Sequence, residues 1–276
     1  MNELLKIYEV APRVKKYIVH TPVVSKHCLP GQFVIVIVHE GGERVPFTIC
    51  DYDREKETIT LLVQEVGYST HKMAELKEGD SLYALVGPLG NPTDLDMYEN
   101  LVLVGGGIGC AVIYPQAKLR KQKGLKSNVI MGARTKDLLF DIDEFKANCE
   151  NVYISTDDGS LGTKGFVTTV LQERIDAGDK IDCVLVVGPM IMMRNVAELT
   201  RKYNIPTVVS MNTIMVDGTG MCGGCRLTVG GETKYACVDG PEFDGHLVDF
   251  DEAISRSKMY AADEKRHMCR LTGEVR

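Results

Sequence analysis

Between residues 95 and 99 the chain changes its hydrophobic period, and this limits its possible folds more than any other feature. Before the change, YIVHTPVV, QFVIVIVHE, TITLLVQEV and SLYALVG are short β-rich runs separated by glycine, proline and charged turns. Runs of that length and spacing predict an antiparallel barrel or sandwich. After it, apolar strands alternate with longer helical segments: LVLVGGG with CAVIYPQAKLRKQ, SNVIMGA with DLLFDIDEFKAN, CVLVVGP with MIMMRNVAELTRKY. Such β and α alternation implies a parallel, doubly wound sheet. The Gly/Pro-dense tract GPLGNPTDLD, residues 87–96, reads as the connection. The expected fold class is therefore α/β plus β. An N-terminal antiparallel β-barrel covers 1–95 and a doubly wound α/β domain covers 96–212. Residues 213–250 carry too little apolar periodicity for a helix and read as a loop module, and 251–276 reads as a C-terminal helix.

The 276 residues leave room for two domains and a third small module. A content of 44% hydrophobic and 25% charged residues sets aside the disordered, collagen-like and coiled-coil classes. The longest nearly apolar stretch, Leu101 to Tyr114, falls short of the roughly 20 residues that span a bilayer. Glu3, Lys6 and Glu9 stand where a secretory signal would need an apolar run. Neither membrane insertion nor export is expected. A net charge of −6 without a long Lys/Arg block makes nucleic acid a poor partner. Of nine cysteines, Cys28, Cys50, Cys110, Cys149, Cys183 and Cys269 are scattered without framework spacing. They fit buried small hydrophobes in a reducing cytoplasm.

Three strand ends carry glycine. Gly105-Gly106-Gly107-Ile108-Gly109 follows LVLV and precedes a helical pattern, the arrangement in which a backbone approaches a pyrophosphate and a helix N-terminus offers free N–H groups. Gly132-Ala133-Arg134 follows NVIM, and Gly188-Pro189-Met190 follows VLVV. In an open parallel sheet such ends share one crevice. Thr156, Asp157 and Asp158 would line its edge, and an aspartate facing the ribose favours NAD over NADP. A surface Asx turn is the equal alternative for the aspartates. In the first domain, Arg44-Val45-Pro46-Phe47-Thr48 offers a guanidinium, a flat apolar side chain and a hydroxyl, and Gly67 with Ser69 and Thr70 forms a turn ahead of a helix.

Cys222, Cys225 and Cys237 fall within sixteen residues, and Asp217 precedes them in the pattern D-x4-C-x2-C-x11-C. Plant-type 2Fe-2S proteins use C-x4-C-x2-C with a distant fourth cysteine, so an aspartate stands where the first thiolate belongs. Glycines at 218, 220, 223 and 224 suit a backbone wrapped around a cluster. Zinc is the competing reading, with three thiolates completed by a carboxylate or His246.

An R-x-P-F-T element, a G-x-S-T turn, GPLG, a GGGIG turn, a GP turn and a cysteine cluster, in this order, resemble the ferredoxin-NADP reductase superfamily. The similarity extends to its branch of electron-transfer subunits, found in dihydroorotate dehydrogenase and in NADH-dependent reduced ferredoxin:NADP oxidoreductase. The aspartate and DGTGMCGGC look more like the latter's small subunit, since the dihydroorotate branch would show four cysteines. The resemblance implies FAD, NAD(H) and a 2Fe-2S cluster as cofactors, and a larger catalytic subunit with its own flavin or iron-sulfur centres as partner. Pro46, Phe47 and Thr48, with Arg44 nearby, match the flavin-ring segment; Leu62, Val63 and Gln64 match the next FAD-lining strand; Ser69 and Thr70 match the pyrophosphate turn. Arg44 stands four residues before Thr48, where the superfamily's R-x-Y-S spaces them by three. Electron bifurcation, an electron-transfer subunit of dihydroorotate dehydrogenase, and a zinc-held nucleotide sensor are the functions that follow from these readings.

Overall fold

The structure is a computed structural model that describes residues 2–272. In the first third of the chain, short runs rich in β-branched and aromatic residues form strands β1 (Glu3–Ala11), β2 (Val14–His20), β3 (Phe33–Ile37), β4 (Arg44–Asp53), β5 (Thr58–Gln64) and β6 (Ala84–Leu89). They pair antiparallel in the order β1-β2-β5-β4-β3-β6 around Leu4, Tyr17, Val19, Val34, Val36, Ile59, Leu61 and Val63. The sheet is not closed into the expected barrel. β6 begins only at Ala84, so β1 meets the turn ahead of it, through one bridge of Glu3 with Ser81 and a 2.8 Å bond from Leu4 N to Asp80 O. TPVV, read as strand, instead opens helix α1 (Pro22–His27), where Pro22 occupies the first turn and its missing N–H costs nothing. Most of β1 is exposed, which hid it from a search for apolar runs. Helix α2 (Tyr68–Ala74) follows β5.

The second region comprises β7 (Leu101–Gly106), α3 (Gly109–Gln122), β8 (Ser127–Ala133), α4 (Ile142–Asn148), β9 (Asn151–Thr156), β10 (Thr163–Lys164), α5 (Val167–Asp176), β11 (Cys183–Val187), α6 (Met190–Arg201) and β12 (Thr207–Ser210). These six strands are parallel, in the order β10-β9-β8-β7-β11-β12. The order reverses between β7 and β11, and a doubly wound sheet opens its crevice at such a switch point.

The stretch read as a loop holds three short strands. β13 (Arg226–Val229) and β14 (Glu232–Tyr235) form a hairpin across Gly230-Gly231, a turn signal flanked by β-formers. β15 (Glu242–Asp244) adds an antiparallel edge to β12. The C-terminal helix is two, α7 (Phe250–Ser257) and α8 (Ala261–Thr272); the tail's last residues, 273–276, lie outside the described ones.

The regions share cores. Phe33 and Ile35 of the first sheet join Val104, Val186, Cys225, Leu227 and Cys237 in one cluster, and Val14, Cys50 and Leu62 join Leu103, Cys110 and Ile113 in another. Two ion pairs cross the seam, Lys16 with Asp141 and Lys118 with Asp51, both at 2.7 Å. The connecting run is pinned as well. Arg120, fully buried on α3, donates to the carbonyls of Leu95 (2.9 Å), Tyr98 (2.7 Å) and Lys126 (2.7 Å).

Candidate functional site

A cavity of about 940 Å³ opens where the two sheets meet, at the large end of the range for small-molecule sites. From the first sheet come Pro46, Phe47, Thr48 and Cys50 of β4 with Leu62 and Gln64 of β5; from the second, Gly106 to Gly109, Gly132 to Arg134, Asp157, Gly188 and Pro189. The three glycine turns thus converge as the switch-point argument requires. Gly109 is fixed by close approach, since a Cβ there would stand 2.2 Å from Val187 O.

Side-chain alternation decides which members of each sequence run face this space. Leu62 and Gln64 line it, whereas Val63 points into the core of the first sheet. Ser155 of β9 and Asp157 just past its end line it, while the Thr156 hydroxyl donates to Leu161 O at 2.8 Å on the other side. Asp158 forms the Asx turn, accepting the Ser160 N–H (2.9 Å) and hydroxyl (2.6 Å). These bonds hold its carboxyl below the usual range. Gly105 is buried within β7, and Met190 is buried at the start of α6; neither lines the cavity.

The flavin-side turn stands apart. Gly67, Ser69 and Thr70 do not line the cavity. The Ser69 hydroxyl donates to Glu43 at 2.7 Å, and Thr70 Oγ1 accepts the N–H groups of Val66 and Gly67, both at 3.0 Å. Arg44 points to the cysteine module. Its Nε donates to Val216 O at 2.7 Å and an Nη to Asp217 O at 3.0 Å.

Ser155 and Thr213 escaped the sequence reading. Both line the cavity with buried hydroxyl oxygens that have no hydrogen-bond partner. A buried polar atom without a partner is costly, so the cavity suits a ligand with polar edges, as a nucleotide has. Ser155 was detectable, two residues before Asp157 and on the same side of an extended chain.

In the cysteine module, Cys225 and Cys237 are buried with sulfurs 3.2 Å apart, while Cys222 is exposed. Cys222 Sγ accepts the Gly224 N–H at 3.5 Å, and amides at Gly224, Asp217 and Val216 hold its thiol below the ordinary value. Burial and the neighbouring Cys225 push Cys237 the other way. The Asp217 carboxylate accepts the Thr219 N–H at 2.9 Å and its hydroxyl, which lower its pKa. Among the described residues no three His, Cys, Asp or Glu side chains stand close enough to hold a metal ion. The folded loop therefore brings Cys225 and Cys237 together and leaves Cys222 and Asp217 to their own backbone and Thr219. His246 is turned instead to Thr200 of α6, at 3.1 Å. Three thiols and a carboxylate on one loop, with amides turned to a sulfur, fit an iron-sulfur ligand set.

The family model described as the iron-sulfur cluster binding domain of dihydroorotate dehydrogenase B matches residues 212–249. A dihydroorotate dehydrogenase B (NAD(+)) electron transfer subunit homolog of Thermotoga maritima is 46% identical, over 96% of this chain and 93% of that protein. A chain from the structure of NADH-dependent reduced ferredoxin-NADP oxidoreductase, solved for insight into flavin-based electron bifurcation, superposes with a TM-score of 0.93 at 44% identity, over 99% of this chain and 98% of that one. Phthalate dioxygenase reductase shares the fold, with a TM-score of 0.58 at 18% identity over 83% and 85% of the two chains. No helix among the described residues is long and apolar enough to cross a membrane. With one cavity at the seam of two sheets, a cysteine module beside it and relatives matched along nearly their whole length, the chain belongs to the oxidoreductase electron-transfer subunits of the ferredoxin-NADP reductase superfamily.

Proposed function

We propose that this chain exchanges a hydride between NAD(H) and FAD and passes single electrons through a 2Fe-2S cluster to or from a larger catalytic subunit. The observation that carries this reading is the cavity itself, because flavin-side strand residues and all three glycine turns line one space. Flavin, when bound, supplies the conversion between two-electron and one-electron steps. Pro46, Phe47, Thr48, Leu62 and Gln64 would hold its ring system. Gly106 to Gly109 would lie along the dinucleotide pyrophosphate, with Ile108 and Gly109 offering N–H groups at the start of α3, since the Gly107 N–H is spent on Gly132 O at 2.8 Å. Asp157 would accept the ribose hydroxyls and repel a 2′-phosphate, which favours NAD. Cys222, Cys225, Cys237 and Asp217 would hold the cluster. No side chain of this chain need act as acid or base. Nine free cysteines fit a reducing cytoplasm.

The likeness to the NADH-dependent reduced ferredoxin-NADP oxidoreductase chain, with Asp217 at the first ligand position, supports a place in an electron-bifurcating assembly. A second reading, a subunit serving dihydroorotate oxidation, is favoured by the match at 212–249 and the Thermotoga homolog's description. The test is the visible spectrum of anaerobically purified protein before and after NADH, with identification of the subunit that copurifies. Flavin bands over an iron-sulfur background that bleach with NADH are expected. A colourless protein carrying one zinc would overturn the proposal, and a copurifying dihydroorotate-oxidising subunit would decide for the second reading.

A further inference from the structure

Arg44 is the first residue of β4, and two positions later that strand begins to line the cavity. Its guanidinium is spent on the Val216 and Asp217 carbonyls, at 2.7 and 3.0 Å. The Val216 carbonyl and the Asp217 N–H belong to one peptide unit, so a charged donor at the oxygen polarises that N–H. Beyond it, Cys222 Sγ receives the Gly224 amide at 3.5 Å. The same stretch is pressed on the first sheet at Gly218, where φ is +85° and a Cβ would stand 2.9 Å from Leu89 Cδ1 and 3.0 Å from Ile35 Cγ1. Two independent contacts therefore fix one short backbone segment against the flavin-side sheet.

We infer that Arg44 is a positioning residue that sets the cysteine loop, and with it Asp217 and Cys222, at a fixed place relative to the strand lining the cavity. The inference rests on the electron-transfer reading above and assigns the guanidinium to the loop, where the family resemblance suggested the flavin. A lysine could reach one carbonyl as a point charge, but it cannot span two as a planar fork. The loop's place sets the gap that an electron crosses between flavin and cluster, so a displaced loop slows that crossing.

The test compares the full-length protein with Arg44→Lys, Arg44→Ala and Gly218→Ala, purified anaerobically with iron and flavin content measured. Rapid mixing with NADH resolves flavin reduction from cluster reduction, and electron paramagnetic resonance of the reduced protein reads the cluster's surroundings. In Arg44→Ala the cluster phase should slow severalfold relative to the flavin phase, with altered g-values. Arg44→Lys should fall between. Gly218→Ala displaces the same backbone with the guanidinium intact and should alter the g-values too. Unchanged g-values and phase ratio in Arg44→Ala and Arg44→Lys would overturn the inference. So would loss of flavin with the cluster spectrum intact, which would make Arg44 a cofactor phosphate ligand. A wild-type protein lacking both flavin and iron would overturn the proposed function itself, and that result is read before any variant is made.

Discussion

The glycine turns and the cysteine loop are built in opposite ways. The turns are strand ends of a buried parallel sheet, fixed by backbone close approach, and they converge on the cavity through folding alone. The loop presents four candidate ligands, yet folding brings only Cys225 and Cys237 together. A dinucleotide site can be preorganised because its donors are main-chain N–H groups that the sheet must place in any case. Thiolates and a carboxylate close-packed without a metal would crowd negative charge, so final closure of such a set would come with binding, and the binding energy would become folding energy for that segment.

The sharpest way to break this comparison is to remove a buried ligand. Cys225→Ala should abolish iron incorporation while nucleotide binding, followed by fluorescence titration, persists; retained iron would show that the loop closes without it. Gly109→Ala attacks the other side. Its Cβ would meet Val187 O at 2.2 Å, so we expect destabilisation of about 3 kcal/mol in denaturant titration, together with loss of NADH binding. Glu242 tests the seam between the regions. Its carboxyl accepts the Thr93 hydroxyl at 2.7 Å, and burial pushes its pKa from 4.5 up to about 7.

The folded state thus binds this proton more tightly than the unfolded chain. Its contribution is full below pH 4.5 and is lost as pH rises to about 7, at most about 3 kcal/mol. Glu242→Gln should flatten the fall in stability between those values in thermal melts across pH. Asp157→Ala should lower the NAD-to-NADP affinity ratio by about ten-fold, the worth of one charge contact, and an unmoved ratio would show that the residue does not read the ribose. Asp217→Cys should change least: iron is kept and only the cluster's midpoint potential shifts, and an unchanged potential would remove Asp217 from the ligands.

The change of period near residue 97 and the three strand-end glycine turns were legible because both follow from backbone geometry that the sequence must encode locally. Ser155 was missed and Val63 misplaced for one reason: each run was taken whole, although an extended chain sends neighbours to opposite faces. Barrel closure was not legible, because it depends on where β6 starts relative to β1, a long-range register. The module's hairpin was hidden by its glycines, which read as loop until Gly230-Gly231 is seen as a turn between β-formers. Arg44 was found as a residue but not as a contact, since nothing local to the chain links it to Val216, 172 residues away.

Arg120 has a further meaning. By anchoring the carbonyls at 95 and 98 from inside α3, it removes from the interdomain connection the freedom that a hinge requires. Together with the apolar clusters shared by the two sheets, this sets the width of the cavity at folding rather than by a swing of one region on the other.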